Sequence, residues 1–227
     1  MGITGMIYMV TMVLSLLVSI LSSSTVGFDY FQFTQQYQPA ACNSNPTPCK
    51  DPTDKLFTVH GLWPSNKIGG DPEYCKIRNP RKRAKKLEPQ LEIIWPNVLG
   101  RTNHTGFWSR QWKKHGACGY PTIQNENDYF ETVIKMYITE KQNVSRILSN
   151  ANIEPDGKSR ALVDIENAIR NGTNNKLPKL KCQKKTRVTE LVEITLCSDK
   201  NRAHFIDCPN PFLPGSPYLC PNNSIHY

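Results

Sequence analysis

Alternating apolar and polar residues predict three strands along the chain. They are expected at residues 28–37 (FDYFQFTQQY), 56–60 (LFTVH) and 189–197 (TELVEITLC). The second strand runs directly into Gly61, Leu62, Trp63 and Pro64. Strands of this pattern bury one face against a core.

Apolar residues at helical spacing predict four helices. They are expected at residues 90–99, 106–118, 128–141 and 159–170. Pro96 interrupts the first and Gly172 marks the end of the last. The third has an apolar stripe that comprises Tyr129, Val133, Met136 and Tyr137. Trp108 and Trp112, one turn apart on the second helix, are expected in the core.

Turn-forming residues predict loops at 39–52 and 66–80 and a proline-rich tail from Cys208. Strands and helices are interspersed without the regular spacing of βαβ units. The sequence therefore predicts an α+β fold in which an antiparallel sheet packs against several helices.

The first 27 residues have the pattern of a secretory signal. An apolar run at 7–21 is followed by small residues, and Thr25 and Gly27 are small at the positions that a signal peptidase inspects. A run of this length is short for a spanning helix, which needs about 20 residues. We expect cleavage after Gly27, which leaves 28–227 as the folded domain; an uncleaved anchor is the alternative.

Eight cysteines behind such a signal predict four disulfides, although eight cysteines allow 105 pairings. Neither C-x-x-C nor H-x-x-x-H occurs, which argues against a structural zinc site. Secretion also makes four N-glycosylation sequons relevant. They begin at Asn103, Asn143, Asn171 and Asn222.

The chain has 28 Lys and Arg against 19 Asp and Glu, a net charge of +9. This excess indicates a polyanionic partner such as nucleic acid. Seven of the cationic residues lie at 76–86 without an intervening acid. That segment is either a solvated basic loop or a surface for RNA or a protein partner.

Two segments carry candidate chemistry. In residues 57–64 (FTVHGLWP), His60 ends an apolar strand, Gly61 allows close backbone approach and Pro64 restricts the turn. In residues 107–118 (FWSRQWKKHGAC), four side chains share one helical face. They are Phe107, Gln111, Lys114 and His115.

Two imidazoles can act as a base and acid pair, and a nearby ammonium can stabilise developing negative charge. From these residues alone, a two-histidine phosphoryl-transfer site and a packing role both remain open. The strings FTVHGLWP and FWSRQWKKHGAC resemble the two signature segments of the ribonuclease T2 family, the secreted acid ribonucleases. The resemblance covers nearly all of 28–227 and is greatest to the plant S-ribonucleases, the style proteins of gametophytic self-incompatibility, of the rose-family type.

The resemblance implies cleavage of RNA to a 2′,3′-cyclic phosphate and a 5′-hydroxyl without metal or cofactor. His115 would be the general base, His60 the general acid and Lys114 the stabiliser of the pentacoordinate phosphorus, with Trp63 beside the phosphate. The implied base pocket comprises Gln36, Asn97, Val98, Leu99 and Phe107.

Two positions depart from the family pattern. Many members have Glu where Gln111 stands and a third His where Arg110 stands. Gln111 can bond a phosphate but cannot titrate, and Arg110 can pair with phosphate but cannot shuttle a proton. We expect activity to persist, slower or with a shifted pH optimum; the alternative is a weakened enzyme retained for binding.

The resemblance also implies the cysteine pairing and the partners. The pairs would be Cys42–Cys49, Cys75–Cys118, Cys182–Cys220 and Cys197–Cys208. A secreted monomer in the style is implied, with RNA as substrate and a pollen F-box protein of a ubiquitin ligase recognising 76–86. A phosphate-scavenging or defence ribonuclease and a silent binding glycoprotein are the alternatives; the pI of about 9.1 favours the self-incompatibility role.

Overall fold

A computed structural model describes residues 27–43, 49, 54–100, 102–185, 187–209, 216 and 218–227. The predicted signal segment, apart from Gly27, lies outside the described residues. No helix in the described part of the chain has the length and apolar character needed to cross a membrane.

Seven strands form one sheet in the part of the chain that the structure describes. Their bounds are β1 Tyr30–Tyr37, β2 Phe57–Ser65, β3 Ser159–Arg160, β4 Lys179–Lys185, β5 Val188–Asp199, β6 Phe205–Ile206 and β7 Ile225–His226. The order is β2-β1-β5-β7-β3, and β4 and β6 also pair with β5. All pairings are antiparallel except β5 with β7, so the predicted antiparallel sheet is confirmed in its main part and is mixed at one edge.

Six α-helices surround the sheet in the described chain. They are α1 Gln38–Asn43, α2 Glu88–Ile94, α3 His104–Lys114, α4 Glu126–Ile134, α5 Val144–Asn150 and α6 Leu162–Gly172. Short 3₁₀ turns occupy Lys85–Leu87 and Gly116–Gly119, and Lys135–Thr139 is a π-helical turn that extends α4.

The three predicted strands and four predicted helices are all present with altered ends. α2 stops before Pro96, whose ring disfavours helical geometry in the preceding residue. α3 ends at Lys114 rather than Cys118, and α4 changes to a π turn at Lys135. The predicted helix at 159–170 is wrong at its start, because Ser159–Arg160 is a strand that pairs with β7.

Several elements were not anticipated. α1 replaces the start of the loop predicted at 39–52; most of the remainder of that loop lies outside the described residues. α5 and β4 have weak apolar periodicity, and β4 is mostly lysine and glutamine. β7 corrects the prediction that the whole tail is loop. These short elements are stabilised by strand pairing and tertiary packing, which their own sequences do not predict.

The two faces of the central strands differ in chemistry. One face packs into a core shared with α2, α3 and α4, which also contains the two tryptophans predicted to be buried. That core includes Phe31, Phe33, Val59, Trp95, Trp108, Trp112, Tyr129 and Phe130. The opposite face is polar and still largely buried, with Thr34 Oγ1 2.8 Å from Thr195 Oγ1 and Gln36 opposite Glu193. This polar face is the one on which candidate catalytic groups lie.

The eight cysteines form four disulfides, in the pairing that the resemblance implies. The bonds are Cys42–Cys49, Cys75–Cys118, Cys182–Cys220 and Cys197–Cys208. The second joins the loop before α2 to the turn after α3, so it fixes the end of the helix that carries half of the candidate site. A bond of this kind contributes about 2–4 kcal/mol to stability.

Candidate active site

A β-bulge places His60. Along β1 and β2, Thr34 pairs with Gly61 and Gln35 pairs with Val59, so His60 is the extra residue without a partner in β1. Bulges bend a strand and re-aim one side chain. The carbonyl of His60 accepts a hydrogen bond from Trp95 Nε1 at 3.1 Å, which fixes the bulge against α2. The sequence predicted a strand ending at His60; β2 instead continues to Ser65.

Gly61 is required by what lies beside it. A Cβ at this position would stand 2.0 Å from Trp63 Nε1 and 3.0 Å from Gln111 Oε1. The sequence predicts close approach to the backbone at Gly61, and the group that approaches is the indole of Trp63. Trp63 Nε1 donates to Gln111 Oε1 at 3.2 Å, so this contact links β2 to α3.

Helix α3 supplies the other groups. Its first turn is capped by Asn103, whose side chain accepts from the Gly106 N–H at 2.9 Å. Trp108 and Trp112 are buried as expected, with 0% and 5% exposure. His115 lies just beyond the last helical residue, and its N–H still bonds the Gln111 carbonyl.

One cavity of about 590 Å³ gathers these side chains. It is lined by His60, Trp63, Asp71, Tyr74, Phe107, Arg110, Gln111, Lys113, Lys114 and His115. The Trp63 ring packs against both imidazoles, with centroid distances of 5.1 Å to His60 and 5.4 Å to His115. The four residues expected on one helical face therefore open into one cavity with His60.

Glu193 is a functional candidate that the sequence analysis missed. Its Oε1 lies 2.8 Å from His60 Nδ1, and its Oε2 lies 3.4 Å from Lys181 Nζ. The Glu193 side chain is only 13% exposed. Burial alone would raise its pKa, but the hydrogen bond and charge of His60, together with Lys181, lower the pKa below its ordinary value.

This carboxylate determines how His60 can act. Because Nδ1 is engaged by Glu193, Nε2 is the ring nitrogen left for a substrate. The contact is an ion pair when the ring carries its second proton. In the sequence, Glu193 is marked only as an acidic residue within the apolar strand TELVEITLC. That pattern does not predict its contact with His60.

His115 has a contrasting environment. Burial is the largest cause that lowers the pKa of His115, the charges of Lys114 and His60 add to it, and Glu73 opposes it, so that the pKa lies at about 4. At neutral pH the ring is therefore uncharged and able to accept a proton. Lys114 Nζ forms an ion pair with Glu73 Oε1 at 3.2 Å, where both side chains are 42% exposed.

The implied base-pocket residues lie apart from that cavity, except Phe107. Gln36 is buried in β1 opposite Thr58 and Glu193. Asn97 closes the turn after α2 by accepting from the Gly100 N–H and donating to the Thr102 carbonyl. Val98 packs against Ala41 and Cys42, and Leu99 is 52% exposed. Phe107 packs edge-on against Trp95, 6.4 Å between centroids.

The basic segment 76–86 is anchored at one residue. Arg83 is 10% exposed at its side chain and pairs with Glu88 at 2.9 Å and Glu126 at 3.3 Å. Its guanidinium lies 5.1 Å from the Trp108 ring centroid and 5.3 Å from that of Phe130. The expectation of a wholly solvated loop is therefore wrong at Arg83.

The sequon asparagines differ in local role. Asn103 and Asn143 cap α3 and α5 through their side-chain oxygens. Asn171 is exposed in the last turn of α6, and the Asn222 carbonyl accepts from the Leu162 N–H. Because a glycan bonds to the amide nitrogen, capping through oxygen is compatible with glycosylation at the first two.

Within the described ranges, no group of three or more His, Cys, Asp or Glu side chains is arranged to hold a metal ion. The cavity brings together two imidazoles that can transfer protons and cationic side chains that can stabilise negative charge. One imidazole is neutral by burial and the other is held by a carboxylate.

Known proteins match this chain over most of its length. The Ribonuclease T2 family model matches residues 28–208. Ribonuclease S-5 of Pyrus pyrifolia is 74% identical over 227 residues, which is 100% of both chains. The solved Japanese pear S3-RNase is 74% identical, covers 88% of this chain and 100% of its own, and has a TM-score of 0.86.

A more distant structure shares the fold. The Nicotiana alata SF11-RNase, associated with gametophytic self-incompatibility, is 28% identical, covers 80% of this chain and 92% of its own, and has a TM-score of 0.67. The region matched by the family model, residues 28–208, contains both histidine segments that meet in the cavity. Because of that family match and the identity to the pear ribonucleases, the chain belongs to the ribonuclease T2 family.

Proposed function

We propose that this chain is a secreted endoribonuclease that cleaves single-stranded RNA by transphosphorylation and acts as a style-side determinant of self-incompatibility. The observation that carries the catalytic part is the shared cavity, where Trp63 contacts two imidazoles that lie in opposite electrostatic environments. Family membership and the pear S-ribonucleases support the same reaction.

His115 is assigned the general base. Its low pKa leaves the ring neutral at the pH where it must accept the 2′-hydroxyl proton. The 2′-oxygen then forms a bond to phosphorus. DNA lacks this hydroxyl and should not be cleaved.

His60 is assigned the general acid. The bond from phosphorus to the 5′-oxygen breaks, and His60 Nε2 supplies the proton to that oxygen. Glu193 positions the ring through Nδ1 and is the counter-charge of its protonated form. The products are a 2′,3′-cyclic phosphate and a free 5′-hydroxyl, so protons and bonds balance without a metal.

Lys114 is assigned the stabilisation of charge on the pentacoordinate phosphorus. Its ammonium pairs with the carboxylate of Glu73, and both side chains are partly exposed. Solvent screens this contact, so a phosphate can replace it. Gln111 and Arg110 contribute hydrogen bonds and positive charge but no titration. Phe107 offers a ring on the cavity wall for base stacking.

The biological setting follows from the relatives. Seven S-ribonucleases of Pyrus pyrifolia are 65% to 74% identical to this chain, and the Nicotiana alata structure is named for gametophytic self-incompatibility. We infer secretion into the style as a glycosylated monomer, entry into pollen tubes and degradation of RNA there. A pollen F-box protein of a ubiquitin ligase would recognise the basic segment 76–86.

The test is cleavage of a defined single-stranded RNA by the purified, oxidised protein with chelator present. We expect cyclic-phosphate ends, no cleavage of the matching DNA, and a loss of about 10²–10⁴-fold in His60→Ala and in His115→Ala. Equal cleavage by the parent and both variants would rule out the two-histidine mechanism. Pistils expressing active protein should reject matching pollen, and pistils expressing His115→Ala should accept it.

A further inference from the structure

A second cavity of about 480 Å³ lies on the other side of α3. It is lined by Ile77, Pro80, Lys82, Arg83, Lys85, Glu88, Thr105, Ser109, Trp112, Lys113 and Glu126. We call it the basic pocket. Neither its position nor its chemistry is used by the proton-transfer mechanism, and it shares only Lys113 with the catalytic cavity.

The net charge of the basic pocket is positive after its ion pairs are counted. Arg83 contacts both acids, Glu88 and Glu126. Burial raises the pKa of Glu126, while the charges of Arg83, Lys82 and Lys113 oppose that effect. Three lysines, at 82, 85 and 113, therefore surround one arginine and two carboxylates.

Anchoring of Arg83 presents the lysines to the pocket. The guanidinium is held by two carboxylates and lies on the rings of Trp108 and Phe130. The next residue, Ala84, donates its N–H to Asn127 Oδ1 at 2.9 Å. Lys82 and Lys85 flank this fixed point, are exposed and line the cavity, so the backbone that carries their positive charges is anchored beside it.

Helix geometry connects the two cavities. Successive α-helical residues are rotated by about 100°. On this helix, Thr105 and Ser109 face the basic pocket, and Lys114 faces the catalytic cavity. Arg110 and Lys113 lie on the arc of the helix surface between these two sides. Lys113 and Arg110 are both exposed and one turn apart. They form a cationic ridge across a helix that is about 10–12 Å wide with its side chains.

We propose that the basic pocket binds a second phosphate of the RNA substrate, outside the scissile linkage, with the strand crossing the ridge of Arg110 and Lys113. A polyanionic strand that leaves the catalytic cavity over this ridge meets Lys82 and Lys85 next. This inference rests on the proposed ribonuclease activity and adds a subsite to it. RNA is favoured over a protein partner as the occupant because the pocket is continuous, through Lys113, with the cavity that holds the scissile phosphate.

The test compares substrates with and without a second phosphate. A dinucleoside monophosphate contains only the scissile phosphate, whereas an oligonucleotide of about ten residues can reach the pocket. The variant is Lys82→Ala/Lys85→Ala, which leaves every residue of the catalytic cavity intact. The charge-matched control is Lys135→Ala/Lys158→Ala, whose side chains are 66% and 75% exposed and outside both cavities.

We expect kcat/KM for the oligonucleotide to fall roughly 3- to 10-fold in the pocket variant, as for the loss of two exposed charge pairs. The slope of log(kcat/KM) against log salt should become shallower by about 0.7, because the variant loses the contact to one single-strand phosphate. The dinucleotide should be cleaved at the parent rate by both variants.

Three results would overturn the subsite. One is an equal loss of kcat/KM in the pocket variant and the control variant. Another is a loss of kcat/KM in the pocket variant that is as large for the dinucleotide as for the oligonucleotide. The last is unchanged oligonucleotide kinetics in the pocket variant, which would leave a protein partner as the occupant. Failure of the parent to cleave either substrate would instead refute the proposed function. If the parent cleaves both substrates and the pocket variant keeps the parent's full preference for the oligonucleotide over the dinucleotide, the subsite alone is refuted.

Discussion

Glu193→Gln separates the charge of this residue from its shape. The amide has the size of the carboxylate and can still accept from His60 Nδ1–H, but it cannot neutralise a protonated ring. Glu193 is 13% exposed and its contact with His60 is 2.8 Å, so solvent cannot replace the lost charge effectively. The substitution also leaves the Lys181 ammonium without its carboxylate partner.

The expected loss follows from the strength of a charged hydrogen bond. Opposite charges about 4 Å apart attract by about 4 kcal/mol at an effective dielectric constant of 20. Exchange with solvent reduces the net contribution of such a bond to about 1.5–3 kcal/mol. We therefore expect kcat/KM to fall about 10- to 160-fold.

The pH profile distinguishes positioning from packing. The general acid must hold its proton, so losing the carboxylate should move the alkaline limb of kcat/KM to lower pH and make the loss largest there. Adding Lys181→Met to Glu193→Gln should restore part of the activity, because it removes the unneutralised ammonium. Glu193→Asp, which keeps the charge, should retain the alkaline limb.

The matched control is Glu190→Gln, the same substitution on the same strand. Glu190 bonds Asn43 and Gln183 and does not line the catalytic cavity. We expect its profile to match the parent. If Glu193→Gln lowers thermal stability and rate while both limbs stay in place, the residue is structural and the positioning argument is wrong.

Three further predictions concern residues around this pair. The acid limb of kcat/KM should lie near pH 4, because His115 must be neutral to act as base. The substitution Gln111→Glu should move that limb up by about one pH unit, since a carboxylate one helical turn away favours the charged ring. Gly61→Ala should displace Trp63 from the space that a Cβ would take and lower kcat/KM by up to about 10²-fold in initial-rate assays. Arg83→Met should lower the free energy of unfolding in urea by about 3 kcal/mol, because two carboxylates lose their common partner.

Each has a control and a contrary outcome. Gln111→Met removes the amide without adding charge and should leave the acid limb in place; movement in both variants would exclude an electrostatic cause. Gly70→Ala, where a Cβ meets nothing within 4 Å, should match the parent rate. Arg81→Met, on an exposed residue, should cost less than about 0.5 kcal/mol, and an equal loss in both arginine variants would refute the anchoring role.

Acid pH should also weaken the fold through His115. Its pKa is lowered in the folded chain from an ordinary 6.5 to about 4. The unfolded chain therefore binds more protons between these values, and stability should fall as the pH drops from about 6.5 to about 4. Urea unfolding of the parent and of His115→Phe at several pH values measures this contribution. A parent whose pH dependence equals that of the variant would contradict it.

Periodicity predicted the large elements but not the geometry of the site. The face of Phe107, Gln111, Lys114 and His115 follows from helical spacing, and the structure opens all four into one cavity. The bulge at His60 could not be predicted, because it depends on the register against β1, which lies 23 to 30 residues earlier in the chain. Glu193 was missed for the same reason, since strand pairing brings it to His60 across 133 positions.

The assignment of acid and base rests on environment, since the two side chains are chemically the same. His115 is partly buried beside Lys114 with Glu73 opposing, and the net effect favours the neutral ring. His60 occupies a bulge on the polar face of the sheet, where Glu193 can pair with the protonated ring. Neighbours that favour opposite protonation states let one residue accept a proton while the other donates. A glutamate in place of Gln111 is therefore not required for the division of roles, and its absence is expected to change the pH range of cleavage more than the ability to cleave.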